Sequence, residues 1–187
     1  MRRALTFALL LTASTASAHP HVFADATVEV RFGARGLEGV RFAWAYDDFT
    51  SALIQQTYDR AATGRFSPAA VREIEAKEMD ALRSFGYFVS VAINGAPLAV
   101  TTIRDFAVET AKGRVIYLFT VPVAPPAAPS GTIAINVDDP TWYTAFALVE
   151  PVRVQAPASY EVACRLARDE QTKRPEGIKC SYRRRAR

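Results

Sequence analysis

The sequence predicts one α+β domain, dominated by antiparallel β-sheet, with two helices inserted after the first hairpin. Three observations predict it. Stretches of strict apolar–polar alternation recur along most of the chain. The two stretches with helical spacing stand side by side, between Asp47 and Gly86. No repeat with a period of roughly 20–50 residues divides the chain into units. Of the 187 residues, half are hydrophobic; the first 18 read as a leader, and the remaining 169 suit a single core.

Val22 to Phe32 puts Val22, Ala24, Ala26, Val28, Val30 and Phe32 on one face, with Asp25, Thr27, Glu29 and Arg31 on the other. Gly33-Ala34-Arg35-Gly36 turns the chain, and Leu37 to Tyr46 returns with Val40, Phe42, Trp44 and Tyr46 inward. Asp47 or Asp48 caps a helix from about Phe49 to Tyr58, because a short carboxylate accepts orphan N–H groups. Ser67-Pro68 opens the second helix. Val71, Ile74, Ala81, Leu82 and Phe85 form its apolar stripe, Gly86 ends it, and Arg72, Glu73, Lys77, Glu78 and Asp80 mostly face water. Strands then follow at Tyr87–Ile93 and Leu98–Thr102 around an Asn94-Gly95 turn, and at Ile103–Thr110 and Val115–Val123 around Lys112-Gly113. Pro122 marks an edge or a strand end. Beyond a proline-rich loop, Pro125–Gly131, further strands are expected at Thr132–Val137 and Phe146–Val154, with a terminal pair at Tyr160–Leu166 and Ile178–Tyr182.

The amino terminus reads as a secretion signal. Arg2 and Arg3 give a positive start, Ala4–Leu11 an apolar core, and Ala16-Ser17-Ala18 a cleavage site. The apolar run is far below the roughly 20 residues of a membrane span. Cleavage after Ala18 leaves residues 19–187 as one periplasmic domain. The formal charge of +4 includes Arg2 and Arg3, so the processed chain is close to neutral; much of its remaining positive charge lies in Arg183-Arg184-Arg185-Ala186-Arg187. Such a tail is either a solvated end or a contact for anionic lipid or an acidic partner. Cys164 and Cys180 are the only cysteines; in an oxidising compartment they form a disulfide, closing a loop of about 15 residues. A two-thiolate metal site is the alternative, though no histidine lies between them.

The chain has two histidines, His19 and His21, in His19-Pro20-His21 directly after the cleavage site. The freed α-amine and two imidazoles make a cluster of borderline nitrogen donors suited to zinc, nickel, cobalt or copper. Pro20 has no N–H, which rules out the terminal chelate that uses deprotonated amides of the second and third residues. What remains is a brace of amine and ring of His19 with the ring of His21. Asp47, at the first strand-to-helix junction, and Asp139, in Asp138-Asp139-Pro140-Thr141, are candidate further ligands, with Asp48 and Asp138 as substitutes. Helix capping and an Asp-Pro turn explain the same acids without metal.

No catalytic constellation stands out. There is no G-x-S-x-G, no phosphate-binding glycine loop, and no histidine outside the terminus for a triad. Basic residues are not interleaved with aromatics in the manner of a nucleic-acid surface. No small-molecule substrate is identified.

His19-Pro20-His21-Val22-Phe23, with Tyr46-Asp47-Asp48-Phe49-Thr50-Ser51 and Asp139-Pro140-Thr141-Trp142-Tyr143, resembles the uncharacterised periplasmic family catalogued as domain of unknown function 1007. That family is described as the periplasmic component of an ABC-type transport system and is associated with nickel/cobalt-type permeases. Trp142 and Thr50 depart from its usual pattern, and neither change removes a candidate ligand. The resemblance implies a non-enzymatic accessory protein that handles a divalent transition metal beside an inner-membrane metal permease or ABC-type transporter. Two other expectations are an interaction module of a transporter that binds no metal, and a copper monooxygenase using the histidine brace.

Overall fold

A computed structural model describes residues 20–59, 61–124, 128–168, 170–171 and 175–186. The leader, His19, residues 125–127 of the proline-rich loop and Arg187 of the basic tail lie outside the described residues.

Period-two alternation forms the first hairpin. β1 (Val22–Gly33) buries Ala24, Ala26, Val28, Val30 and Phe32 and pairs antiparallel with β2 (Gly36–Tyr46), which buries Val40, Phe42, Trp44 and Tyr46. α1 (Asp48–Tyr58) follows at once, capped by Asp47. α2 (Pro68–Ile74) starts on a Ser67 cap with Pro68 at its first position, as the sequence predicts.

α2 does not continue as expected. It passes into a π-turn, Glu75–Met79, and a 3₁₀ segment, Asp80–Phe88, in which Gly86 and Tyr87 leave helical geometry. The wider turn inserts one residue into the helical spacing. The buried pair is therefore Ile74 and Met79, five apart, while Ala81 and Phe85 of the predicted stripe are exposed.

β3 (Val89–Ile93) begins two residues later than predicted, because Tyr87 and Phe88 hold positive φ. Asn94 and Gly95, both at positive φ, make the expected tight turn into a two-residue strand, β4 (Ala96–Pro97). The predicted strand Leu98–Thr102 does not form. β5 (Arg104–Ala111) and β6 (Arg114–Pro122) pair around Lys112 and Gly113, again both at positive φ, and Pro122 is the last residue of β6. β7 (Ser130–Val137) covers the expected Thr132–Val137 and starts two residues earlier, at the end of the predicted loop. The single strand predicted over Phe146–Val154 is instead β8 (Thr144–Leu148) and β9 (Arg153–Gln155). Pro151, which has no N–H for a ladder, lies in the break. β10 (Tyr160–Arg168) and β11 (Pro175–Arg184) are the terminal pair, with Cys164 directly opposite Cys180 and bonded to it.

The strands form two sheets. The first has the order β5-β6-β2-β1-β8, with β9 also pairing β1; the second has the order β10-β11-β7-β3-β4. Pairing is antiparallel except where β8 and β9 run parallel to β1. The apolar faces of the two sheets share one core, in which Phe32 of β1 meets Tyr160 and Tyr182 at 5.3 Å between ring centres. α1 is tied to the first sheet by buried Ser51, whose hydroxyl donates to Tyr46 O and accepts from Val115 N. Among the described residues no helix is long and apolar enough to cross a membrane. The Cys164–Cys180 disulfide marks a protein of an oxidising, extracytoplasmic compartment.

Candidate functional site

Three of the four residues singled out as ligands come to one end of the first sheet. His21 stands exposed just ahead of β1. Its N–H donates to Tyr143 O at 2.9 Å, and its ring lies 5.2 Å from the Tyr143 ring. The next residue, Val22, is paired with Thr144, the first residue of β8. His19, the fourth, lies outside the described residues.

Asp47 and Asp139 hold this end together. One Asp47 oxygen accepts from Thr50 N, capping α1; the other accepts from Phe23 N at 2.9 Å and from the Thr50 hydroxyl at 2.8 Å. The carboxylate thus bolts the head of β1 to the start of α1. Asp139 is buried. One of its oxygens accepts from Thr141 N and the Thr141 hydroxyl, and the other from Thr144 N at 2.8 Å. In both acids burial acts to raise the carboxyl pKa, but the donors outweigh it and leave each below the usual aspartate value. Both are held ionised by the protein's own donors. Of the substitutes, Asp48 is exposed in the first turn of α1, where its charge suits the helix dipole. Asp138 is exposed, and its N–H donates to Phe88 O.

Among the described residues no three His, Cys, Asp or Glu side chains are gathered closely enough to hold a metal ion. The two aspartates, as placed, position the strand that carries His21.

Sequence reasoning missed the cleft beside this end. A hollow of about 450 Å³ opens between α1, the Glu75–Phe88 segment and the Asp139–Thr144 turn, over a floor of Trp44, Tyr46 and Tyr117. Its wall contains Glu78, whose carboxylate accepts from the Tyr58 hydroxyl at 2.5 Å. Burial, that hydrogen bond and the Glu78 charge push the Tyr58 phenol up to about 12. Tyr46 and Tyr117 are also raised, chiefly by burial and further by the Glu78 charge. Around the mouth stand exposed Leu53, Phe85 and Tyr143, and exposed Phe49 and Trp142 are the chain neighbours of the lining residues Thr50 and Tyr143. The only sequence signal was the concentration of aromatics at Trp44, Tyr46, Phe85, Phe88, Tyr143 and Phe146, which reads equally well as core.

The sequence profile of the family described as "Protein of unknown function (DUF1007)" matches residues 4–179. No curated protein matches the chain.

Proposed function

Because the chain belongs to the DUF1007 family, whose resemblance pointed to metal handling, we propose that it is a periplasmic metal-binding accessory protein of a membrane metal-transport system. A divalent transition metal is its cargo, received or presented at the amino terminus. His19 and His21 are the ligands, with the α-amine released by cleavage after Ala18. Asp47 and Asp139 support the site by fixing the backbone around Phe23 and Thr144. The inner-membrane permease or ABC-type transporter is the partner, and the reading includes no catalytic step.

The observation that carries it is the anchoring of His21. A histidine on a frayed end would lose entropy on chelation, whereas this one is fixed through Tyr143 O at the head of a paired strand. Three nitrogen donors there favour zinc, nickel, cobalt or copper over magnesium or calcium.

The test is calorimetric titration of correctly processed protein with each metal. Stoichiometric binding is expected, and binding that survives His19→Ala with His21→Ala would overturn the assignment. An added glycine before His19 keeps both rings but displaces the amine, and affinity should fall about 10-fold or more. A transporter-docking module that binds no metal is the second reading, favoured by exposed Phe23, Phe49, Trp142 and Tyr143 at the same end. Permease co-purification in chelator, unchanged by the histidine substitutions, would select it.

A further inference from the structure

We propose that the cleft over Trp44, Tyr46 and Tyr117 is a binding site for a small organic cation: an amine or quaternary ammonium compound with an apolar body. The proposal does not rest on the metal reading: it turns on Glu78, and among the described residues no histidine lines the cleft.

Size comes first. About 450 Å³ lies within the roughly 300–1,000 Å³ range of small-molecule sites. The lining contains eight aromatic side chains together with Leu53, Ile54, Met79 and Leu82, a surface for an apolar body rather than for a hydrated ion.

Charge decides the ligand's sign. Among the described residues the lining has two carboxylates, Glu78 and Asp139, and no lysine, arginine or histidine. Asp139 is occupied by Thr141 and Thr144. Glu78 is engaged on one oxygen, by Tyr58. The nearby cations serve other acids: Lys77 pairs with Glu73 at 2.7 Å and Arg83 with Asp80 at 2.6 Å. Among the described residues no ion pair reaches Glu78. With the surrounding phenols held protonated, the site presents the Glu78 carboxylate beside aromatic faces whose quadrupoles also attract cations, and Asp139 adds a second negative charge that is already hydrogen-bonded. An anionic ligand would meet the Glu78 charge without a counter-ion.

The backbone is bent to make this wall. The π-turn brings Met79 beneath the cleft and Glu78 to its side, and turns of this kind frequently mark functional sites. Tyr87 and Phe88 then hold left-handed φ values of 55° and 54°, and Phe88 lines the cleft. Non-glycine residues keep such angles only when packing over-determines them.

The experiment uses the processed chain in chelator with four probes of equal length: hexyltrimethylammonium, hexylammonium, hexanol and hexanoate. Binding is read by calorimetry and by tryptophan fluorescence, since Trp44 floors the cleft and Trp142 adjoins its rim. Both cations should bind about 10-fold more tightly than hexanol, the scale of a carboxylate-assisted cation–π contact, and hexanoate should bind least. Glu78→Gln should remove the preference for cations while leaving hexanol affinity unchanged. Phe85→Ala, at an exposed position, should weaken all probes without changing thermal stability. Equal affinity for hexanol and the cations, undiminished cation binding by Glu78→Gln, or failure of every probe to bind would each overturn the proposal.

Discussion

Replacing Asp139 by alanine tests whether this acid is a structural tie, and its effect follows from three hydrogen bonds. Its two oxygens accept from Thr141 N, the Thr141 hydroxyl and Thr144 N, at 2.7–2.8 Å. Thr141 is exposed, so water can replace the carboxylate there at a cost of about 1 kcal/mol. Thr144 is half-buried at the start of β8, and an amide left without its acceptor there costs about 2 kcal/mol. The total is about 3 kcal/mol, or a fall of roughly 6–12 °C in Tm for a domain of this size. Asp139→Asn keeps one acceptor oxygen but turns an amide against a donor, so it should lose about half as much. The pH dependence has a definite sign. The folded-state pKa of Asp139 is depressed, so its contribution is present above the unfolded value near 3.9 and is lost as pH falls through the lower folded value. Wild-type protein should therefore lose stability on acidification below about pH 4 more steeply than Asp139→Ala. Urea denaturation followed by tryptophan fluorescence, at neutral pH and then through the acid range, measures both effects. Chelator is present throughout, so the result reports the protein alone. An alanine variant within about 0.5 kcal/mol of wild type would refute the structural role.

Two further outcomes follow from buried groups elsewhere. Thr120 in β6 is 1% exposed and its hydroxyl has no partner among the described residues, so Thr120→Val should raise stability by about 1 kcal/mol in the same urea titration. Unchanged or lower stability would mean that the hydroxyl is satisfied in solution. Cys164→Ser with Cys180→Ser should lower stability by about 3 kcal/mol, and wild-type protein in reductant should match the double variant.

The parts of the fold legible in the sequence are those governed by local chemistry. β1 and β2 alternate because one face is buried, and the period leaves a single register that hides Trp44 and Phe42. The Asp47 and Ser67 caps, the turns at Asn94-Gly95 and Lys112-Gly113, and the Cys164–Cys180 pair each follow from what a few neighbouring residues can do. What was not legible depends on distant packing. Hydrophobic spacing taken at 3.6 residues per turn puts Ala81 and Phe85 inward; the π-turn breaks that phase, and the spacing from Ile74 to Met79 is its only trace. Leu98–Thr102 alternates like a strand, yet the second sheet ends at the two residues of β4. The aspartates stood out in the sequence as members of two acidic pairs, Asp47-Asp48 at a strand-to-helix junction and Asp138-Asp139 after a strand. Capping and ligation draw on the same residue types, and only the positions of Phe23 N and Thr144 N decide how the oxygens are used.

Glu78 shows the same limit from the other side. A glutamate between Lys77 and Met79 on a helix reads as part of a wet face, and it is indeed exposed. Its significance comes from Tyr58, twenty residues earlier, and from Tyr46 and Tyr117 on two strands of the first sheet. Left-handed backbone at Tyr87, Phe88 and Trp142 costs on the order of 1–3 kcal/mol at each residue. Phe88 lines the cleft and accepts the Asp138 N–H on its carbonyl, while Trp142 donates its N–H to Asp139 O. The strained residues thus join the cleft wall to the turn that pairs with Val22 and holds His21. Stabilising that turn and shaping the cleft are consequently one structural problem, solved by the same few residues.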